Sequence, residues 1–221
     1  MINRIYDLPE TDKPSAEWIK IENLFRAYPD ISQLFMQADT GAVIFSLGKD
    51  VIISGKPNSE ELIKFLLFLK PDSVFSSADN LSSLYSNHSK VNVLICRKCP
   101  KTSTNTFNYD FSSNQAYELL NIDEFDLPPY EHFAADYCRR KNHGLIKVFG
   151  KADSCIAITL ESENYRLLSG IASKQKGSGG ALLLAATSGN TPVLTVCRDE
   201  LVPFYTKYGF TYLYKAGYWR K

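Results

Sequence analysis

Residues 174–182 read Lys174-Gln175-Lys176-Gly177-Ser178-Gly179-Gly180-Ala181-Leu182, and the fold turns on what flanks them. Upstream, Tyr165 to Ile171 follows Glu163-Asn164 and reads as a strand. Downstream, Ala181 to Thr187 reads as a helix. The first amides of such a helix have no partner inside it, and with the helix dipole they form a seat for an anion. Glycines let a phosphate approach the backbone without a Cβ in the way. Lys174 and Lys176 add positive charge beside the seat. A P-loop would require Gly-Lys-Ser/Thr after the glycines, and a dinucleotide fingerprint a third glycine where Leu182 stands; both patterns fail. A plain strand-to-helix loop with incidental glycines stays open at this point.

Working outward, the carboxy-terminal half is the better organised. Ser112 to Leu120 and Pro128 to Arg140 are helix candidates, the second opening on Pro128-Pro129 and closing at His143-Gly144. Leu145 to Phe149, Cys155 to Leu160 and Tyr165 to Ile171 are three strands joined by short turns. Pro192 to Val196 is a strand and Asp199 to Tyr208 a helix. Phe210 to Tyr214 and Gly217 to Trp219 read as two closing strands. The order is that of a mixed α/β sheet.

The amino-terminal segment alternates similarly. Ser15 caps a helix through Trp18, Ile21, Leu24 and Phe25 that ends near Tyr28-Pro29. Gln33 to Met36, Ala42 to Leu47 and Val51 to Ile53 form a small meander. A second helix follows Asn58-Ser59 and stops before Pro71, and Val91 to Cys96 is one more strand. The polar stretch from about 100 to 112 is the linker candidate. The expected division is 1–105 and 110–221, and no internal repeat is visible by residue identity.

The segment Leu168 to Leu184, followed by Pro203-Phe204-Tyr205-Thr206-Lys207-Tyr208-Gly209-Phe210, resembles the GNAT acetyltransferase superfamily. The signature there is Arg/Gln-x-x-Gly-x-Gly/Ala, a strand, then a helix ending in Phe-Tyr-x-Lys-x-Gly-Phe. The resemblance covers roughly 110–221 and implies a GNAT-like acyl-CoA acyltransferase fold there, with an additional N-terminal α/β lobe whose mixed pattern leaves a degenerate copy of the same fold as one reading. It implies acetyl-CoA as co-substrate and an amine acceptor, small molecule or peptide, attacked in a ternary complex. By position, Lys174, Gln175, Lys176, Gly177, Ser178 and Gly179 match the diphosphate loop, with Gly180 adjoining; Ile171 and Ala172 match the strand end that pairs with pantetheine. Lys174 stands where Arg or Gln is usual. Arg198 replaces the frequent Asn of the next helix and is the residue that would reach a phosphate there; Phe204 adjoins the same site. Tyr205 occupies the position of the general acid. Glu161, with Glu163 beside it in the hairpin, is the candidate base, with a water chain as the alternative. Tyr205 also lies on one helical face with Leu201, Phe204 and Tyr208, which a core tyrosine would do equally well.

Composition excludes several other classes. The 221 residues carry 25 Lys+Arg against 24 Asp+Glu, net charge +1, so nothing draws the whole chain to nucleic acid or an anionic membrane. The most apolar stretch, Leu62 to Leu69, is broken by Lys64 and falls short of the ~20 residues of a spanning helix. Five widely spaced cysteines favour reduced thiols in the cytoplasm over a disulfide framework. A single Cys96-Arg97-Lys98-Cys99 pair cannot close a tetrahedral zinc site, and His88, His132 and His143 have no metal spacing, so no metal is expected. Homodimerisation stays open. The competing readings are a CoA-binding regulatory module that has lost transfer, and a nucleotide-binding protein that uses the same turn for a simple phosphate.

Overall fold

Three antiparallel strands, a helix and then a strand parallel to the third occur twice along this chain. The computed structural model describes residues 1–11, 13–98, 107, 110–122, 125–151 and 154–221. They divide into two units: 1–94 with 196–202 and 212–221, and 95–195 with 203–211. Most of the linker candidate, and Cys99, lie outside the described residues.

In the first unit, β1 (Ile2–Ile5) precedes α1 (Ala16–Ala27), which starts at Ser15 because the Ser15 hydroxyl accepts from the Trp18 amide at 3.1 Å. The meander is β2 (Ser32–Gln37), β3 (Val43–Leu47) and β4 (Asp50–Ser54). Helix α2 (Ser59–Leu69) crosses to β5 (Ser73–Ser77), parallel to β4; α3 (Ala78–Leu84) leads to β6 (Ser89–Cys96). The last strand of the chain, β11 (Thr211–Arg220), lies antiparallel to β5 and between β5 and β6. Ile44, Val51, Ile53, Leu62, Leu66, Val74 and Leu81 form its core.

One expectation is corrected here. The closing strands are one strand of ten residues, not two. Gly217 is no break in it: a Cβ there would lie 2.7 Å from the Ser89 carbonyl, so the strand needs glycine to pass under its neighbour. The stretch between Pro71 and Val91, unassigned from the sequence, holds β5 and α3; Ser73-Val-Phe-Ser-Ser77 hides a strand behind three serines.

The second unit has α4 (Ser113–Leu120), fixed by a reciprocal cap between Ser112 and Gln115, and α5 (Tyr130–Asn142). Then come β7 (Ile146–Lys151), β8 (Cys155–Glu161), β9 (Arg166–Ser173), α6 (Ser178–Thr187), β10 (Val193–Cys197) and, after a 3-10 turn at Asp199–Leu201, α7 (Val202–Lys207). The strand order is β7-β8-β9-β10, with only β9 and β10 parallel. Side chains alternate between faces. Ile158 and Leu160 face α4 and α5, whereas Arg166, opposite Glu161, reaches α6. No helix among the described residues is long and apolar enough to cross a membrane.

Candidate functional site

Strand β9 is irregular where it matters. Leu168 pairs with Thr159 and Gly170 with Ile158, so Ser169 is an extra residue with no partner in β8. This is a β-bulge, and bulges bend and re-aim a strand. The parallel pairing to β10 covers only Arg166, Leu167 and Leu168. From Ser169 to Ser173, the edge of β9 away from β8 has no strand partner among the described residues. Ile171 and Ala172 lie in this stretch.

The turn that follows is tied to itself. The Lys174 amide donates to the Ser154 carbonyl at 2.8 Å, and the Gln175 amide to the Ser173 hydroxyl at 3.2 Å. The hydroxyls of Ser173 and Ser178 both reach the Gln175 carbonyl, at 2.8 and 2.7 Å. Gly177 caps α6 with φ at +91°, a conformation that favours glycine, and no side chain caps the helix. The amides of Lys176, Gly177, Gly179 and Gly180 have no hydrogen-bond partner among the described residues. Nothing stands within 4 Å of where a Gly177 Cβ would be, so the mouth of the turn is open. Lys174 and Lys176 are exposed beside it. The arrangement is four uncommitted amides, a helix dipole, two ammonium groups and an unpaired strand edge. It suits an anion carrying an extended amide-containing arm.

The corresponding crossover in the first unit has the opposite chemistry. Asn58 accepts from the amides of Glu60 (3.1 Å) and Glu61 (3.3 Å), and those two carboxylates occupy the first turn of α2. Two of its first amides are taken by the Asn58 side chain, and carboxylates stand where an anion would sit, so this helix start disfavours an anion.

No family model matches the sequence, and no curated protein matches it. Solved structures do match. A GCN5-related N-acetyltransferase from Sphaerobacter thermophilus is 14% identical with a TM-score of 0.53, covering 90% of this chain and 84% of that one. A GNAT-family acetyltransferase from Colwellia psychrerythraea is 12% identical with a TM-score of 0.51 over 100% of both chains. A tandem GNAT protein from the clavulanic acid biosynthesis pathway is 8% identical with a TM-score of 0.53, covering 96% of this chain and 89% of that one. The fold is that of the GNAT acetyltransferases.

Within this GNAT fold the structure brings most of the expected residues together. Ile171 and Ala172 run along the open edge of β9 into Lys174–Gly180, and the Phe204 ring lies 3.9 Å from where a Gly179 Cβ would stand. Gly180 has a steric role: a Cβ there would fall 1.8 Å from the Tyr208 hydroxyl, so that ring occupies the space. Tyr205 is buried, its ring edge-on to Phe204 and Phe210. Glu161 receives the Thr159 hydroxyl at 2.8 Å and the Lys147 ammonium at 2.9 Å. Its side chain lies on the α6 face of the sheet, one residue on from Leu160, which faces α4 and α5. Glu163 is exposed in the turn. The Arg198 guanidinium is paired with Glu200 at 3.1 Å, both of them exposed.

Two functional features were not anticipated. The Ser169 bulge had a signal, since an isolated glycine inside a strand pattern (Gly170) marks such irregularities. Arg166 had none. It is only 6% exposed and donates to the carbonyls of Ala186, Thr187, Ser188 and Thr191, closing the far end of α6. Among the described residues no cluster of three or more His, Cys, Asp or Glu could hold a metal, and Cys96, Cys138, Cys155 and Cys197 are free thiols.

Proposed function

We propose that this chain is an acyl-CoA-dependent N-acyltransferase that moves acetyl from acetyl-CoA to an amine by direct attack in a ternary complex. The observation that carries the reading is the set of uncommitted amides at the start of α6, adjoining the unpaired edge of β9 on a fold shared with acetyltransferases. Lys174 to Gly180 would hold the diphosphate. The backbone from Ser169 to Ala172 would pair with the pantetheine amides, and Phe204 would pack beside the turn. The first unit is, in this reading, a degenerate copy that keeps the element order and has lost the anion seat. Free thiols in both units fit a cytoplasmic protein.

Transfer requires a proton for the departing thiolate, and Tyr205 is the proposed donor. A phenol, pKa near ~10, is well matched to an alkyl thiol, so the transfer is nearly balanced. Tyr205→Phe keeps the ring packing on Phe204 and Phe210 and removes only the hydroxyl. It lowers kcat about 10²-fold with little change in the KM for acetyl-CoA. Unchanged turnover removes Tyr205 from the mechanism.

Calorimetric titration with acetyl-CoA, followed by a free-thiol assay over a panel of amines, tests the whole reading. The expected stoichiometry is one acetyl-CoA per chain, because Asn58 closes the second potential seat. Two per chain contradicts that account. A second reading, a CoA-binding module without transfer, is favoured by the commitment of Glu161 to Lys147 and of Arg198 to Glu200. Binding without amine-dependent thiol release establishes it.

A further inference from the structure

Between α4, α5 and the bulged part of β9 lies a cavity of about 130 Å³. Leu120, Phe125, Phe133, Ile158 and Leu160 make its walls apolar. Its size is close to the ~150 Å³ of an engineered apolar void that takes up benzene. The polar side chains that line it are, with one exception, already committed. Arg140 donates Nε to Asp136 Oδ1 at 2.8 Å and Nη2 to Oδ2, a forked pair that neutralises both charges. The Tyr137 hydroxyl donates to the Phe111 carbonyl at 2.8 Å, and burial pushes its pKa up to about 12, so it stays protonated and held there. The exception is Ser169, exposed at the lip, whose hydroxyl has no partner among the described residues.

Ser169 is also where the open edge of β9 begins. Ser173 lies four steps further along the strand, about 13 Å at ~3.3 Å per residue, with the anion seat beyond. An extended arm leaving the seat along this edge brings its far end to the level of Ser169.

We propose, resting on the acyltransferase reading, that the acceptor is a monoamine with a ring-sized apolar body: the body fills this cavity and the amine sits at the Ser169 hydroxyl. The walls offer no uncompensated negative charge to a second ammonium and no uncompensated positive charge to a carboxylate. Polyamines and acidic amino acids are therefore poor acceptors, because their extra charge would be desolvated without a partner.

The test uses the full chain and three acceptors: phenethylamine, spermidine and glutamate. Thiol release from acetyl-CoA is read for each, and acetyl-CoA binding is measured separately by calorimetry. Phenethylamine is expected to exceed the other two in kcat/KM by about 10- to 100-fold, the value of burying an aromatic ring. Phe133→Ala, which widens the cavity, shifts preference toward a naphthyl amine and leaves acetyl-CoA affinity unchanged; Ser169→Ala raises the KM for the amine several-fold. If acetyl-CoA binds and spermidine or glutamate matches phenethylamine, or other amines of the panel are turned over and none of these three is, this inference alone falls. If acetyl-CoA does not bind, the acyltransferase reading falls and the inference with it.

Discussion

Gly177→Asp is expected to leave the protein folded and to abolish the acetyl-CoA binding proposed for this turn. The fold survives because nothing lies within 4 Å of the new Cβ. Asp is also among the side chains that best tolerate a positive φ, at a strain of about 1 kcal/mol. Binding fails for two reasons that add. The carboxylate accepts hydrogen bonds from the amides that now have no partner, and it sets a negative charge against the diphosphate. At ~5 Å and an effective dielectric of ~20, one unit-charge repulsion amounts to about 3 kcal/mol, roughly a 10²-fold loss of affinity. Gly177→Asn separates the effects, since it fills the turn and competes for amides without charge; its loss is expected to be roughly tenfold. Calorimetry measures both, and an unchanged denaturant midpoint shows that folding is intact. Wild-type affinity in Gly177→Asp means that no diphosphate is held at this turn. The first unit already contains the natural version of the experiment, where Asn58, Glu60 and Glu61 close the equivalent helix start with an amide side chain and two carboxylates.

What the sequence made legible follows from which signals are local. Ser15, Asn58 and Ser112 each announce a helix start because a cap acts within three residues, and all three cap in the structure. The glycine-rich turn is legible for the same reason: strand, glycines and helix are contiguous. β5 was not, because a buried central strand has no alternation and its serines are satisfied tertiarily, Ser76 by the Ile53 carbonyl at 2.9 Å. The continuity of β11 through Gly217 depends on Ser89 and Leu81, which are more than a hundred residues away in sequence. The site divides in the same way. Its amides could be read from Lys174 to Gly180. The i,i+4 pair of Asp136 and Arg140 is local, but that it stands over an apolar cavity, and that Glu161 is paired with Lys147, are properties of helix packing and strand register.

The largest stability loss is expected from Arg166→Met. Arg166 stands on β9 opposite Val193 of β10, and its guanidinium donates to Ala186, Thr187, Ser188 and Thr191 at 3.1, 3.3, 2.9 and 3.3 Å. The last carbonyls of a helix have no partner within it, and α6 ends without a basic residue of its own in the last turn. One buried cation thus satisfies the orphaned carbonyls and opposes the negative end of the helix dipole. Methionine keeps the volume of the stem, so no large cavity opens and the loss is chiefly polar. Leaving four carbonyls, two buried and two half-buried, without a donor costs about 3–5 kcal/mol, visible as a lower denaturant midpoint at unchanged slope. Arg166→Lys recovers only part of this, since a single ammonium cannot span a fork of four acceptors. The effect reaches the opposite end of the same helix, because amides that bind an anion must be held still by the packing of α6. On the acyltransferase reading, acetyl-CoA affinity is therefore expected to fall in Arg166→Met, although no atom of Arg166 belongs to the turn. A wild-type midpoint in that variant would mean that water satisfies these carbonyls and that α6 is anchored elsewhere.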